Sequence, residues 1–187
     1  AGDYTRRGEA VDARRIVLTA STSEAYTLLF KLLCAPHGDA VLVPVPSYPP
    51  FDHLTALDGV RPIPYRLEYN GRWSVAGGEL DRAWTDEVRA VLAVSPNNPT
   101  GSILSGDEMR EMSQRCADRG AALIVDEVFV DYPLSTRPPI SGDRRDLPPC
   151  LAFRLGGLSK SAGLPQVKLV QGVAGAFPGV GNCKPVV

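Results

Sequence analysis

Short apolar runs alternate along the chain with stretches where apolar residues return every three or four positions. Runs of the first kind read as strands buried on both faces; the second spacing reads as one face of a helix. Residues 16–19, 40–44, 88–94, 121–125 and 150–155 are predominantly apolar runs, with Arg89 and Arg154 as their charged interruptions. Ala25, Leu28, Leu29, Leu32 and Leu33 predict one buried helix face. Ser21 or Ser23 can cap its first turn, and Pro36 with Gly38 ends it. A short helix through Leu57 is expected next. Residues 60–67 are extended but carry Pro62 and Pro64, so they predict an edge or irregular strand. Asn70-Gly71 signals a turn, and residues 72–87 show little periodicity. Ser105-Gly106-Asp107-Glu108 has the form of a capping box. The helix it opens places Met109, Met112, Cys116 and Ala117 on one face, and Gly120 suits the left-handed position after its end.

Strands alternating with helices argue an α/β fold, a three-layer α/β/α domain with a mostly parallel sheet. Residues 1–169 read as the core of that domain. Residues 133–149 hold five prolines and predict a long loop. The Gly- and Pro-rich residues 170–187 read as a tail outside the core, and no internal repeat is visible.

Composition narrows the classes of function. The 187 residues are enough for one domain with a substantial core, and 44% hydrophobic with 22% charged residues is ordinary for a globular protein. A net charge of −1 gives no reason to expect nucleic acid or an anionic membrane as partner. No apolar run approaches the roughly 20 residues that span a bilayer. The first residues, Ala1-Gly2-Asp3-Tyr4-Thr5-Arg6-Arg7, lack an apolar signal-peptide core. Cys34, Cys116, Cys150 and Cys183 stand alone, which fits free thiols in a reducing cytoplasm better than disulfides or zinc.

The chemistry gathers where strands end. The run 88–94 stops at Ser95-Pro96-Asn97-Asn98-Pro99-Thr100-Gly101, whose prolines force a stiff, non-helical turn. Asparagine amides there sit beyond the end of a strand, where open α/β sheets bind ligands. The strand 16–19 feeds Ser21-Thr22-Ser23 at a helix start, where free backbone N–H groups and the helix dipole favour an anion. The strand 121–125 runs into Asp126, and the strand 150–155 into Gly156-Gly157-Leu158-Ser159-Lys160-Ser161.

Together these elements resemble the class I/II aminotransferases, the fold-type I enzymes that use pyridoxal 5′-phosphate. The resemblance covers most of residues 4–169, the middle of the family's large domain, with the motifs in the family's order. It implies that Ser21, Thr22 and Ser23 hold the cofactor phosphate and that Tyr48 stacks on the pyridine ring. Asn98 would bond the phenolic oxygen, and Asp126 would pair with the protonated ring nitrogen so that the ring accepts electrons. Lys160 matches the Schiff-base lysine, which also moves the substrate proton. Lys168 matches a basic residue at the phosphate, often arginine, which grips in two places where lysine is a point charge.

Three departures stand out. Many members have tyrosine where this chain has Phe129, with Tyr132 out of register. Gly157 replaces a phosphate-binding serine. Residues that the family's N-terminal segment and small C-terminal domain bring to the active site have no match, so a partial large domain is expected. The implied activity is exchange of an amino group between an amino acid and a 2-oxo acid, with a homodimer expected for a full-length relative. Weak cofactor binding and poor turnover are expected of this stretch. The alternatives are another pyridoxal phosphate chemistry such as β-elimination by a lyase, and a non-catalytic remnant.

Overall fold

A computed structural model describes residues 2–6, 11–132, 150–161 and 170–176, the last by backbone alone. In chain order the elements are α1 (Gly2–Arg6), a 3-10 turn (Ala13–Arg15), β1 (Ile16–Thr19), α2 (Thr22–Leu33), β2 (Ala40–Val45) and α3 (Phe51–Leu57). There follow β3 (Arg61–Tyr69), β4 (Trp73–Val75), α4 (Gly77–Ala83), β5 (Val88–Val94) and α5 (Gly106–Asp118). The chain then forms β6 (Ala122–Asp126), β7 (Leu151–Gly157), α6 (Leu158–Ser161) and β8 (Val170–Ala176).

The strands form one sheet in the order β1-β8-β7-β6-β5-β2-β3-β4. The central pairings β3–β2, β2–β5, β5–β6 and β6–β7 are parallel; β8 runs antiparallel to both neighbours, and β4 to β3. Strand alternation sends successive side chains to opposite faces, and both faces are covered. Val41, Val43, Ala90, Leu92, Ala122, Ile124, Phe153 and Leu155 pack with α2 and α3 on one side. Leu42, Val91, Ala93, Leu123, Val125 and Ala152 pack with Leu80 of α4 and Met109, Met112 and Cys116 of α5 on the other. The fold is therefore three-layered, and burial on both faces explains why the central strands carry no polar alternation.

Local chemistry places the helices. Ser105 accepts the Glu108 N–H at 3.2 Å and Glu108 accepts the Ser105 N–H at 2.8 Å, closing the capping box of α5. Glu108 also takes bonds from the Val75 N–H and the Arg72 guanidinium, tying the β3–β4 hairpin to α5. Burial pushes its carboxyl upward, but these hydrogen bonds outweigh burial and hold it below the usual glutamate range. Gly120 takes φ +64°, ending the helix as its sequence position implies.

Two expectations change and one holds. The buried face of α2 is Ala25, Tyr26, Leu29 and Phe30, with Leu28 and Leu32 in solvent. The two aromatic rings offer more apolar area than the leucines and turn the helix toward themselves. The segment 170–176, read as tail, is a sheet strand paired on both sides. The edge strand expected around Pro62 and Pro64 is there: both pair with β2, and β4 covers only Leu67–Tyr69, so the first part of β3 is an edge where a missing N–H is tolerated.

Candidate active site

Register brings the chemistry to one edge of the sheet. β1 is antiparallel to β8, and β8 to β7, so β1 points the same way as β7 and the parallel strands beyond it. Thr19 pairs with Val170, and Val170 with Gly157. Leu155 pairs with Asp126, and Asp126 with Val94. The carboxyl ends of β1, β2, β5, β6 and β7 thus lie on one edge. Ser21, Thr22 and Ser23 follow β1, Tyr48 follows β2, Asn98 follows β5, Asp126 ends β6, and Lys160 follows β7. This is the crevice where open α/β sheets bind ligands.

The turn after β5 is built around Asn97. Its amide donates to the Pro46 carbonyl at 3.0 Å and to Thr100 Oγ1 at 2.9 Å, and its Oδ1 accepts from Ser47 Oγ at 3.2 Å. With its amide committed to both loops, buried Asn97 stitches the β2 and β5 ends together and leaves its neighbour Asn98 exposed at the crevice. Asn98, Pro96, Gly101, Phe129, Tyr132 and Lys160 line a cleft of about 530 Å³. Ligand pockets of small molecules fall in that range of size.

Lys160 lies on α6, one turn of helix directly after β7. Its Nζ is 5.6 Å from the centre of the Phe129 ring. The Tyr132 hydroxyl donates to the Lys160 carbonyl at 2.7 Å, and Ser161 Oγ donates to the Gly157 carbonyl. The hydroxyl of Tyr132 therefore holds the lysine's backbone and does not replace the one Phe129 lacks.

Asp126 is buried, and both its oxygens are used: Oδ1 accepts the Val128 N–H at 3.0 Å, and Oδ2 accepts the Tyr26 hydroxyl at 2.9 Å. Burial pushes its carboxyl up to about 6, against the pull of those two hydrogen bonds. Among the described residues no cationic side chain pairs with it.

The remaining sequence-predicted residues divide. Ser21 caps α2 by accepting the Glu24 N–H, resolving the choice between Ser21 and Ser23. The first N–H groups of α2, at Thr22 and Ser23, have no acceptor within the helix. Ser21, Thr22 and Ser23 do not line the cleft with Lys160. Tyr48 is half exposed, edge-on to Phe51, and lines a separate hollow of about 260 Å³ that shares Pro99 with the cleft. Lys168 falls outside the described residues. At Gly157 a Cβ would meet Val128 Cγ1 at 3.2 Å, so a serine there requires Val128 to give by a few tenths of an ångström.

Two features were not anticipated. Tyr26 reaches Asp126 from α2; its signal was an aromatic pair four residues apart, Tyr26 and Phe30, within a leucine-rich helix. Glu127 and Arg154 form a buried ion pair through two contacts, Nη2–Oε2 at 2.7 Å and Nε–Oε1 at 3.2 Å. The arginine inside an otherwise apolar strand was its only trace.

Known proteins are similar to this chain in sequence and fold. The chain is 31% identical to alanine aminotransferase 1, mitochondrial, of Arabidopsis thaliana over 68% of its own length and 25% of that protein's. It is equally similar, at 31% over 67% of the chain and 26% of the relative, to the inactive alanine aminotransferase of Saccharomyces cerevisiae. The alanine aminotransferase structure from Pyrococcus furiosus superposes with a TM-score of 0.81 and 26% identity, covering 92% of this chain and 43% of that one. The chain thus spans about a quarter of the length of these curated relatives. The family model for aminotransferase class I and II matches residues 4–169, and the chain belongs to that family.

Proposed function

We propose that this chain is the cofactor-binding part of a pyridoxal 5′-phosphate-dependent aminotransferase that passes an amino group from an amino acid to a 2-oxo acid. The observation that carries the reading is the meeting of Asn98, Asp126 and Lys160 at adjacent strand ends, with Asn98 and Lys160 on one cleft. The residues suit the cofactor on a second count. A buried carboxylate bonded only to neutral donors is an expensive arrangement, and a protonated ring nitrogen would supply the missing positive charge.

When bound, the cofactor draws electrons from the substrate Cα into its ring. Asp126 would keep the ring nitrogen protonated, and the Asn98 amide would donate to the phenolic oxygen. Lys160 Nζ would bond the cofactor's aldehyde carbon, then carry the proton at Cα once the substrate amine has replaced it. Ser21, Thr22, Ser23 and Lys168 would hold the phosphate, and Tyr48 would cover the ring. Alanine is the first amino donor to test, since the relatives at 31% identity bear its name. The buried free thiols Cys34, Cys116 and Cys150 support a reducing compartment such as the cytoplasm, and a second copy is the partner proposed for the full-length protein.

Phe129 in place of a hydroxyl, and Val128 in the space beside Gly157, favour weak binding and low turnover as a second reading. Absorbance spectra with pyridoxal phosphate, then with alanine, then with a 2-oxo acid, separate the two. A cofactor band that alanine changes and the 2-oxo acid restores supports the transferase. A band that neither changes supports a binding-only chain, and no band overturns both.

A further inference from the structure

We propose that Tyr26 is a positioning residue for Asp126: its phenol holds the carboxylate in one orientation and in its anionic form. This rests on the reading that Asp126 serves the ring nitrogen of the cofactor. The geometry is specific. Tyr26 is 1% exposed and Asp126 8%, and their oxygens are 2.9 Å apart across one hundred residues of chain. The Tyr26 ring is fixed in place, edge-on to Phe51 at 5.2 Å and tilted against Phe30 at 6.0 Å. A phenol so anchored can approach only one oxygen of the carboxylate. The other oxygen is held by the Val128 N–H, so the plane of the group is set from two directions.

The proton belongs to the tyrosine. Burial and the facing Asp126 charge hold the Tyr26 phenol well above the ordinary tyrosine range, so it stays a donor. The other titratable groups nearby are Glu127, which follows Asp126 and raises its carboxyl, and Tyr65, which acts on Tyr26. Glu127 is occupied by Arg154 of β7, and the Tyr65 hydroxyl donates to the Leu92 carbonyl. Tyr26 is thus the one side-chain donor to Asp126 among the described residues. Removing it frees the carboxylate to rotate and makes its charged form harder to keep.

The test uses the full chain labelled with 13Cγ-aspartate, the Asp126 signal being the one lost in Asp126→Asn. Tyr26→Phe keeps both ring contacts and removes only the donor; it should raise the Asp126 titration midpoint by about one unit, as expected for losing a hydrogen bond to a charged group. Fluorotyrosine at position 26 keeps the hydroxyl but strengthens it as a donor, and should move the midpoint down, which makes the test independent of the folding of Tyr26→Phe. The lower pH limit of pyridoxal phosphate binding, read by absorbance, should rise in Tyr26→Phe while the other aspartate signals stay where they are in the parent. A midpoint that moves in neither variant, in a parent that takes up pyridoxal phosphate, overturns the role of Tyr26 and leaves the cofactor reading intact. A parent that takes up none overturns the cofactor reading, and this role with it.

Discussion

The ammonium of Lys160 lies over the ring of Phe129, 5.6 Å from its centre. A cation over an aromatic face is held by the ring's electrostatics, at about 0.5–1 kcal/mol where solvent is near. The contact holds the lysine against Phe129 in the lining of the cleft, which is apolar there where many family members have a hydroxyl. Phe129→Tyr places a donor there without changing the ring. It should tighten pyridoxal phosphate binding about two- to tenfold, the range of one net hydrogen bond. Equilibrium titration by absorbance checks this, and unchanged affinity would mean the added hydroxyl does not reach the cofactor.

Gly157 and Val128 form a second matched pair. Since Val128 Cγ1 stands 3.2 Å from where a Cβ at 157 would be, Gly157→Ser should lower stability by about 1–3 kcal/mol, the usual effect of overpacking. Gly157→Ser with Val128→Ala should recover most of that loss and, by opening space for the serine hydroxyl, tighten the hold on the cofactor phosphate. Thermal melts and cofactor titrations of the two variants side by side read both effects.

The burial of Asp126 sets a pH dependence with a definite sign. Its carboxyl titrates near 6 when folded, against 3.8 as the ordinary value. Between those limits the folded chain keeps a proton that the unfolded chain has released. The contribution of this group to stability therefore falls as pH rises through that window, and the deficit is complete above about 6, at ~3 kcal/mol. Asp126→Asn has no charge to bury; its Oδ1 can accept the Val128 N–H and its Nδ2 can donate to Tyr26. Chemical denaturation should find Asp126→Asn more stable than the parent by about 1–3 kcal/mol at neutral pH. The gap should close as pH falls below the window, and a gap that widens toward acid would contradict the assignment.

Breaking the Glu127–Arg154 pair should be among the most damaging changes outside the cleft. Arg154 also lies under the Tyr4 ring, at 5.3 Å. Arg154→Met takes the guanidinium away from a buried carboxylate, which costs about 3–5 kcal/mol, equivalent to a fall in melting temperature on the order of 10 °C. The double variant Arg154→Met, Glu127→Leu should lose far less, because no charge is left unpaired. Calorimetry of the single and double variants decides this.

What could be seen in the sequence depended on whether a residue's role was local. The capping box at Ser105 and Glu108, the strand Val88–Val94 and the stop at Gly120 rest on neighbours a few positions away, and the structure reproduces them. The buried face of α2 was misjudged at Leu28 and Leu32 because five leucine and alanine positions outweighed two aromatics in the pattern, while packing area favours the aromatics. β8 was missed because Gly172 and Gly175 weaken any strand signal, yet both sit between strands already formed on either side. The site was legible as a set of strand ends carrying Asn98, Asp126 and Lys160. The contacts that hold it, Tyr26 to Asp126 and Tyr132 to the Lys160 carbonyl, span 100 and 28 residues of chain respectively and leave no spacing to read.

The central claim is that Lys160 is the residue that bonds the cofactor. Pyridoxal phosphate is added to the chain, the bond is trapped with borohydride, and the digest is mapped by mass spectrometry. The cofactor's mass is expected on Lys160, and its loss in Lys160→Ala even though Asn98 and Asp126 are intact. Labelling spread over surface lysines such as Lys31, or no labelling of Lys160 at saturating cofactor, would contradict it.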